Sequence, residues 1–299
     1  MTPHARGAWF AALSSFIGGA NSVACRALVE TVPSIAIAFW RFSIAAAILA
    51  CIALATKRTL KRPGLVTNLA TSSKDITLII FVGLLQYSVF AWAYTASTGY
   101  TTAVRATLVL ATIPLTTLIV TVVLKLDKLT AVRLFAVLTA LTGVAIALSG
   151  KAISTRPLHP WLGELIMLLG TFASVAHNLI AKPLLVKFDL LWLTVLEMVV
   201  GLCVLVAIGA TTGWLGWFDF SPQGWVLMIS MGIFGSALTH WMWMVAIRDG
   251  PPVGVAVSVC LNPIAALLAG TVFLNEPATL ATFVGLLFIA AGVYLANKR

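Results

Sequence analysis

Few side chains in this 299-residue sequence could do chemistry, and most of them fall where charge is costly. Arg41 and Glu197 each lie about two turns inside a long apolar stretch. Glu197 is the most deeply placed carboxylate in the chain. A carboxylate in such a place can load and release protons as its surroundings change, so ion coupling is one role for it. Bonding to a backbone amide or reaching toward lipid headgroups is the other. Arg41 can meet a substrate carboxylate or take part in ion coupling. It falls toward the opposite face from Glu197, so a direct salt bridge between them is not expected. Arg105, about one turn inside its own stretch, offers a pre-formed cationic fork to a substrate carboxylate. Snorkelling outward is its alternative.

A second group of residues could hold a solute. Tyr87, Phe90 and Tyr94 recur at steps of three and four and so share one helical face. Ser236, Thr239, His240 and Trp243 make a comparable face later in the chain. Rings supply stacking area, and hydroxyls with an imidazole supply orientation, which is the lining a flat amphipathic molecule needs. Interfacial belts and helix packing also explain such residues near helix ends, although Tyr87 is too central for a belt. Ser14, Gly18, Asn21 and Cys25 form another face, and Gly170, Ser174, His177 and Ala181 a fourth. Asn21 and His177 either bind substrate or bond a neighbouring helix. His177 can also exchange a proton near neutral pH. Ser258 and Asn262 are one turn apart, just before Pro263. That proline leaves the Val259 carbonyl without its helical amide partner, and Pro114 kinks an earlier stretch in the same way. The two kinks are bending points for alternating access, or simply proline as tolerated in membrane helices.

These residues sit on apolar scaffolding. The chain is 61% hydrophobic and 9% charged, with a mean hydropathy of +1.05. Soluble proteins carry about 25% charged residues. Ten apolar stretches of about 20 residues, the length that crosses a bilayer as a helix, run over 7–27, 34–55, 76–97, 101–124, 130–149, 161–182, 190–211, 224–246, 251–274 and 279–296. Alternation of period two is absent, which argues against a membrane barrel. The expected fold is therefore an all-α integral membrane protein.

The net charge of +10 follows topology rather than a nucleic-acid partner. With the N-terminus in the cytoplasm, that side holds Arg6, Lys57, Arg58, Lys61, Arg62, Lys74, Lys125, Lys128, Arg133, Lys182, Lys187, Arg248, Lys298 and Arg299. Arg26, Lys151 and Arg156 remain outside, with Arg41 and Arg105 inside spans. Such asymmetry places both termini in the cytoplasm, in a bacterial inner membrane. The first span is expected to be retained rather than cleaved as a signal, although Ser22 to Cys25 is faintly cleavage-like. Cys25, Cys51, Cys203 and Cys260 have no CxxC or zinc-like spacing and read as packing residues.

The second half of the chain repeats the first. An offset of 149 lays Gly83 on Gly232, Trp92 on Trp241, Pro114 on Pro263, Asp127 on Glu276, Thr130 on Thr279, Gly143 on Gly292 and Val144 on Val293. An offset of 156 lays Gly7 on Gly163, Phe16 on Phe172, Ala20 on Ala176, Arg26 on Lys182 and Arg41 on Glu197. Residues 1–150 and 151–299 are then two five-helix repeats. Because five is odd, the second copy enters the membrane from the opposite side, and the repeats are inverted around a central cavity.

Gly19-Ala20-Asn21, Phe39-Trp40-Arg41, the mid-span prolines followed by acids (Ile113-Pro114 with Asp127; Asn262-Pro263 with Asn275-Glu276-Pro277) and a Gly-Val in each closing span carry a resemblance. The whole chain resembles the drug/metabolite transporter superfamily, in its EamA-type branch. The resemblance implies a basket of ten helices whose cavity is lined mainly by spans 1–4 and 6–9, with spans 5 and 10 peripheral. No GxxxxGK[ST] nucleotide site is present, nor a HExxH or GxSxG constellation, so neither a pump nor an enzyme is expected, and no cofactor or metal. The expected activity is secondary transport: export of small amphipathic solutes by alternating access. The lining and the similarity to aromatic amino acid exporters point to aromatic or large apolar amino acids as the small-molecule substrate. Lipophilic cationic drugs are the substrate alternative, and a solute channel is the alternative of a different class. Small residues in Thr139-Ala140-Leu141-Thr142-Gly143 and Ala290-Ala291-Gly292 favour close helix approach, compatible with a monomer or a homodimer in the lipid bilayer.

Overall fold

The computed structural model describes residues 2–56, 72–101, 103–126, 128–149, 160–213, 220–274 and 280–297. Asp127, Asn275, Glu276, Pro277 and Thr279 of the repeat motifs lie outside the described residues. So do the cations Lys57, Arg58, Lys61, Arg62, Lys151, Arg156, Lys298 and Arg299.

The described chain is helical throughout. Helices α1 (Pro3–Val29) and α2 (Ser34–Ala55) are followed by α3 (Ser73–Gly83), which passes through a π-helical turn (Leu84–Phe90) into α4 (Ala91–Tyr100). Next come α5 (Ala103–Leu110), α6 (Ile113–Val123) and α7 (Ala131–Ser149). The second half has α8 (Pro160–Lys187), α9 (Leu190–Thr212), and α10 (Pro222–Gly232), which passes through a second π-helical turn (Ile233–Leu238) into α11 (Thr239–Asp249). Helix α12 (Pro252–Val257) leads through a 3₁₀ turn (Ser258–Cys260) into α13 (Leu261–Leu274), and α14 (Leu280–Asn297) closes the chain. Seven of the resulting rods are long and apolar enough to cross a membrane, with shorter apolar helices beside them.

Local signals explain many boundaries. Thr2, Ser72, Asp189 and Ser221 accept backbone N–H groups at the starts of α1, α3, α9 and α10. Gly213 ends α9 in the left-handed region at φ 79°, which costs a glycine nothing. Two boundaries differ from the sequence reading. The stretch 101–124 is broken at Ala111–Thr112, so Pro114 stands in the first turn of a new helix, where its missing N–H is harmless. Helix α8 runs on through Pro183 to Lys187 instead of stopping at 182.

The helices pack through small residues. A Cβ added at Gly143 of α7 would lie 2.7 Å from the Gly285 carbonyl oxygen of α14, and one at Gly292 would lie 2.8 Å from the Ala136 carbonyl oxygen of α7. Other close approaches recur at the same two offsets. Gly7 presses on Gly250 and Gly163 on Thr101; Gly83 presses on Val200 and Gly232 on Ile44. Helix α1 thus begins beside Gly250, whereas α8 begins beside Ser97 and Thr101 and brings Lys182 to the Gly250 carbonyl near its far end. His4 and Asn297 line one surface groove, so both chain ends lie at the same end of the bundle. Large apolar side chains such as Phe135, Leu138, Phe283, Leu287 and Tyr294 remain exposed on α7 and α14, a surface suited to lipid rather than water.

Candidate functional site

Six of these seven rods, all but α9, meet with α5 and α6 around a cavity of about 100 Å³. Ser14, Ser15, Gly18 and Asn21 reach it from α1 and Arg41 from α2. Gln86, Phe90 and Tyr94 come from the rod containing the first π turn, and Gly235, Thr239, His240 and Trp243 from the rod containing the second. Leu110, Ile113, Ser174, Val259 and Asn262 complete the wall, to which α7, α9 and α14 contribute nothing.

Hydrogen bonds hold this wall in place. Ser14 Oγ donates to the Thr239 carbonyl at 2.9 Å and Tyr94 Oη to the Gly18 carbonyl at 3.0 Å. Asn21 lies flat on Gly235, where an added Cβ would sit 2.2 Å from its Oδ1. His240 Nδ1 lies 2.9 Å from the Ser236 carbonyl oxygen, which only accepts, so Nδ1 carries the proton and Nε2 is left to accept. Asn262 Nδ2 donates to the Val259 carbonyl at 2.9 Å, an acceptor that the Leu261 N–H also meets and to which Pro263 has no N–H to offer.

Arg41 is the charged member of the wall and is 2% exposed. Its guanidinium carbon stands 4.5 Å from the Phe42 ring centroid and 5.4 Å from that of Tyr94, both at cation–π range. Nη1 donates to Cys25 Sγ at 3.4 Å, and Nε is buried without an acceptor. Among the described residues no carboxylate forms an ion pair with it.

The other expected residues stand elsewhere. Arg105 Nε donates to Glu164 Oε1 at 2.8 Å, tying α5 to α8 away from the cavity. His177 and Glu197 are fully buried and bond each other, Nε2 to Oε2, at 2.9 Å. Tyr87 packs edge-on against Phe42 behind the wall, and Ser236 and Ser258 are buried without lining the cavity. Pro114 and Pro263 follow the break at Ala111–Thr112 and the 3₁₀ turn, respectively. There Cys260 Sγ approaches the Ala111 carbonyl at 3.8 Å.

Gln86 and Gly235 were not singled out by sequence, and both are explained by the π turns. Bonding from residue i to i+5 takes in an extra residue per turn. The face that an α-helical count assigns to Tyr87 and Ser236 therefore falls one residue earlier, on Gln86 and Gly235.

Membrane-length helices gathered around a pocket of ring, aliphatic and polar side chains make a membrane protein with an internal binding cavity. Two stretches, residues 5–149 and 161–298, match the model of the EamA-like transporter family. The chain belongs to that family, within the drug/metabolite transporter superfamily, and is a multi-pass membrane protein. It is 24% identical to an uncharacterized transporter of Archaeoglobus fulgidus over 96% of this chain and 97% of that one. It is 20% identical to the uncharacterized transporter YetK of Bacillus subtilis over 93% of this chain and 83% of its relative. A solved crystal structure with 15% sequence identity superposes over 95% of this chain and 97% of its own with a TM-score of 0.69, a likeness of fold.

Proposed function

We propose that the protein is a secondary transporter that exports small amphipathic organic solutes, foremost amino acids with aromatic or large apolar side chains, by alternating access. In this reading ten membrane crossings form two inverted five-helix repeats, residues 1–150 and 151–299, in a bacterial inner membrane with both termini cytoplasmic. The inverted arrangement is supported by two successive matches to one family model. It is supported further by π turns and helix breaks at equivalent positions of the halves, and by α1 and α8 starting at opposite ends of the bundle.

The observation that carries the substrate class is Arg41. A buried guanidinium with an unsatisfied Nε and ring faces on its flanks is matched by a solute carboxylate, which supplies both charge and acceptors. Phe90, Tyr94 and Trp243 offer ring surface to the apolar side chain, and the unpartnered Gln86 Oε1 accepts from an ammonium. The same guanidinium opposes a lipophilic cation, because like charges repel strongly where the dielectric constant is low.

The test is counterflow by purified protein in liposomes. The solutes are phenylalanine, phenethylamine (the same ring without the carboxylate) and a lipophilic quaternary cation. Saturable exchange of phenylalanine alone is expected. Arg41→Gln raises its half-saturating concentration roughly 10- to 100-fold, the loss of a charge-assisted bond of about 1.5–3 kcal/mol. Equal exchange of all three solutes, or phenylalanine exchange unchanged in Arg41→Gln, overturns the substrate class. Flux that does not saturate marks a channel.

A further inference from the structure

Behind the cavity wall, four polar side chains are joined end to end. Trp243 lines the cavity, and its indole Nε1 donates to Asn178 Oδ1 at 3.0 Å. Asn178 Oδ1 lies 3.3 Å from His177 Nδ1, and His177 Nε2 lies 2.9 Å from Glu197 Oε2. The protons along this chain follow from the donor inventory. An indole nitrogen only donates, so the Asn178 atom facing it is the carbonyl oxygen, which only accepts. His177 Nδ1 faces the same oxygen and therefore carries a hydrogen. One further proton then belongs to the gap between Nε2 and Oε2, either as imidazolium with carboxylate or as imidazole with carboxylic acid. Glu197 Oε1 is buried with no partner, so the carboxylate has spare capacity where the helix bundle gives it no donor.

We infer that the His177–Glu197 pair is a proton-binding site linked to the solute cavity through Asn178 and Trp243. A solute that draws the Trp243 N–H toward itself takes a donor from Asn178, and this changes the acceptor seen by His177 Nδ1. Binding of solute and binding of the proton are thereby coupled, each altering the other by the same factor. The transfer involves no other chemistry: one proton enters the Nε2–Oε2 gap from water on one side of the membrane and leaves to water on the other. Asn178 also borders a water-sized space of about 10 Å³ with Thr117 and Lys182, on the side of the bundle where Lys182 meets Gly250. The other titratable groups facing the pair are Tyr87 from the first π turn and His240 from α11, with Arg41 of α2 acting on His240. Tyr87 stacks edge-on to His177 at 6.4 Å and interacts with Glu197. His240 lies 5.3 Å from the Tyr87 ring and interacts with both His177 and Arg41.

The coupling to solute rests on the transporter reading above, whereas the proton site itself does not, and two measurements separate them. Infrared difference spectra of the purified protein across a pH titration are expected to contain a carboxyl stretching band that vanishes in Glu197→Gln. The midpoint of that band shifts in Trp243→Phe, which keeps a ring and removes the N–H. No such band, or a midpoint unmoved by Trp243→Phe, overturns the proton site or its link to the cavity. In liposomes enclosing a pH-sensitive dye, the lumenal pH is expected to move with phenylalanine flux. This movement is lost in Glu197→Gln and His177→Gln while counterflow of phenylalanine persists. Phenylalanine flux without pH movement in the unmodified protein, or pH movement retained in Glu197→Gln, overturns the coupling. A titrating Glu197 band without phenylalanine counterflow overturns the substrate reading and leaves the proton site standing.

Discussion

At Asn262 a side-chain amide joins a backbone donor: Pro263 offers no N–H to the Val259 carbonyl, and Asn262 Nδ2 reaches it at 2.9 Å beside the Leu261 N–H. Asn262→Leu keeps the bulk and removes that donor, leaving the buried carbonyl only the Leu261 N–H. A loss of about 0.5–1.5 kcal/mol in stability is expected, read as a lower thermal unfolding midpoint in detergent. An unchanged midpoint would mean that the Leu261 N–H alone satisfies the carbonyl. Asn262 also shows what kind of site residue was legible in the sequence. A polar side chain before a proline in an apolar stretch stands out, as do Asn21 and the ring pair Phe90 and Tyr94, and all of them line the cavity. Gln86 did not stand out, because counting at 3.6 residues per turn assigns its place to Tyr87. Nothing in the composition of Leu84–Phe90 announces a π turn. The types of His177 and Glu197 drew attention, but their partnership did not. It depends on how α8 and α9 slide against one another, and residue spacing within either helix carries no information about that.

Helix α7 meets α14 through two glycines that sit at equivalent positions of the halves. A Cβ at Gly143 would lie 2.8 Å from Phe288 Cβ and 2.9 Å from Ile289 Cγ1, so Gly143→Val must drive the two helices apart. The expected cost is about 1–3 kcal/mol, with phenylalanine counterflow retained because neither helix reaches the cavity. Gly99→Ala is the control. Its Cβ would meet Val29 Cγ2 at an ordinary 3.6 Å, and the change is expected to stay within about 0.5 kcal/mol. Thermal unfolding of the two variants side by side checks the contrast, and equal midpoints would sink it. Most rods were legible because the hydropathic pattern that keeps a helix in lipid is the same pattern that reveals it. Interruptions were less legible. Pro114 marks a break whose actual position, Ala111–Thr112, lies upstream, because proline is comfortable in the first turn of the helix that follows. Pro183, by contrast, sits inside α8 without ending it.

Across the whole molecule comparable close contacts stand at both ends of the bundle. At the end holding the termini, Gly7 presses on Gly250 and Arg6 pairs with Asp249 at 2.7 Å. At the other end Gly163 presses on Ser97 and Thr101, and Arg26 donates to the Thr98 carbonyl at 2.9 Å. In the proposed alternating-access cycle these contacts part in turn, so a side chain wedged into one should hold the protein open on that side alone. A Cβ at Gly7 would lie 2.9 Å from the Gly250 nitrogen, and one at Gly163 would lie 2.9 Å from the Ser97 carbonyl oxygen. These are backbone neighbours that cannot swing aside. Gly7→Leu and Gly163→Leu are therefore expected to abolish counterflow while leaving the protein folded. A reporter thiol tells them apart: Ser15→Cys on the cavity wall, with Cys25, Cys51, Cys203 and Cys260 replaced by alanine. A membrane-impermeant maleimide should label this thiol in Gly7→Leu only from the side that carries the termini, and in Gly163→Leu only from the opposite side. Labelling of both variants from the same side, or of each from both sides, would mean that the two end contacts do not part in turn and that the solute crosses by another route.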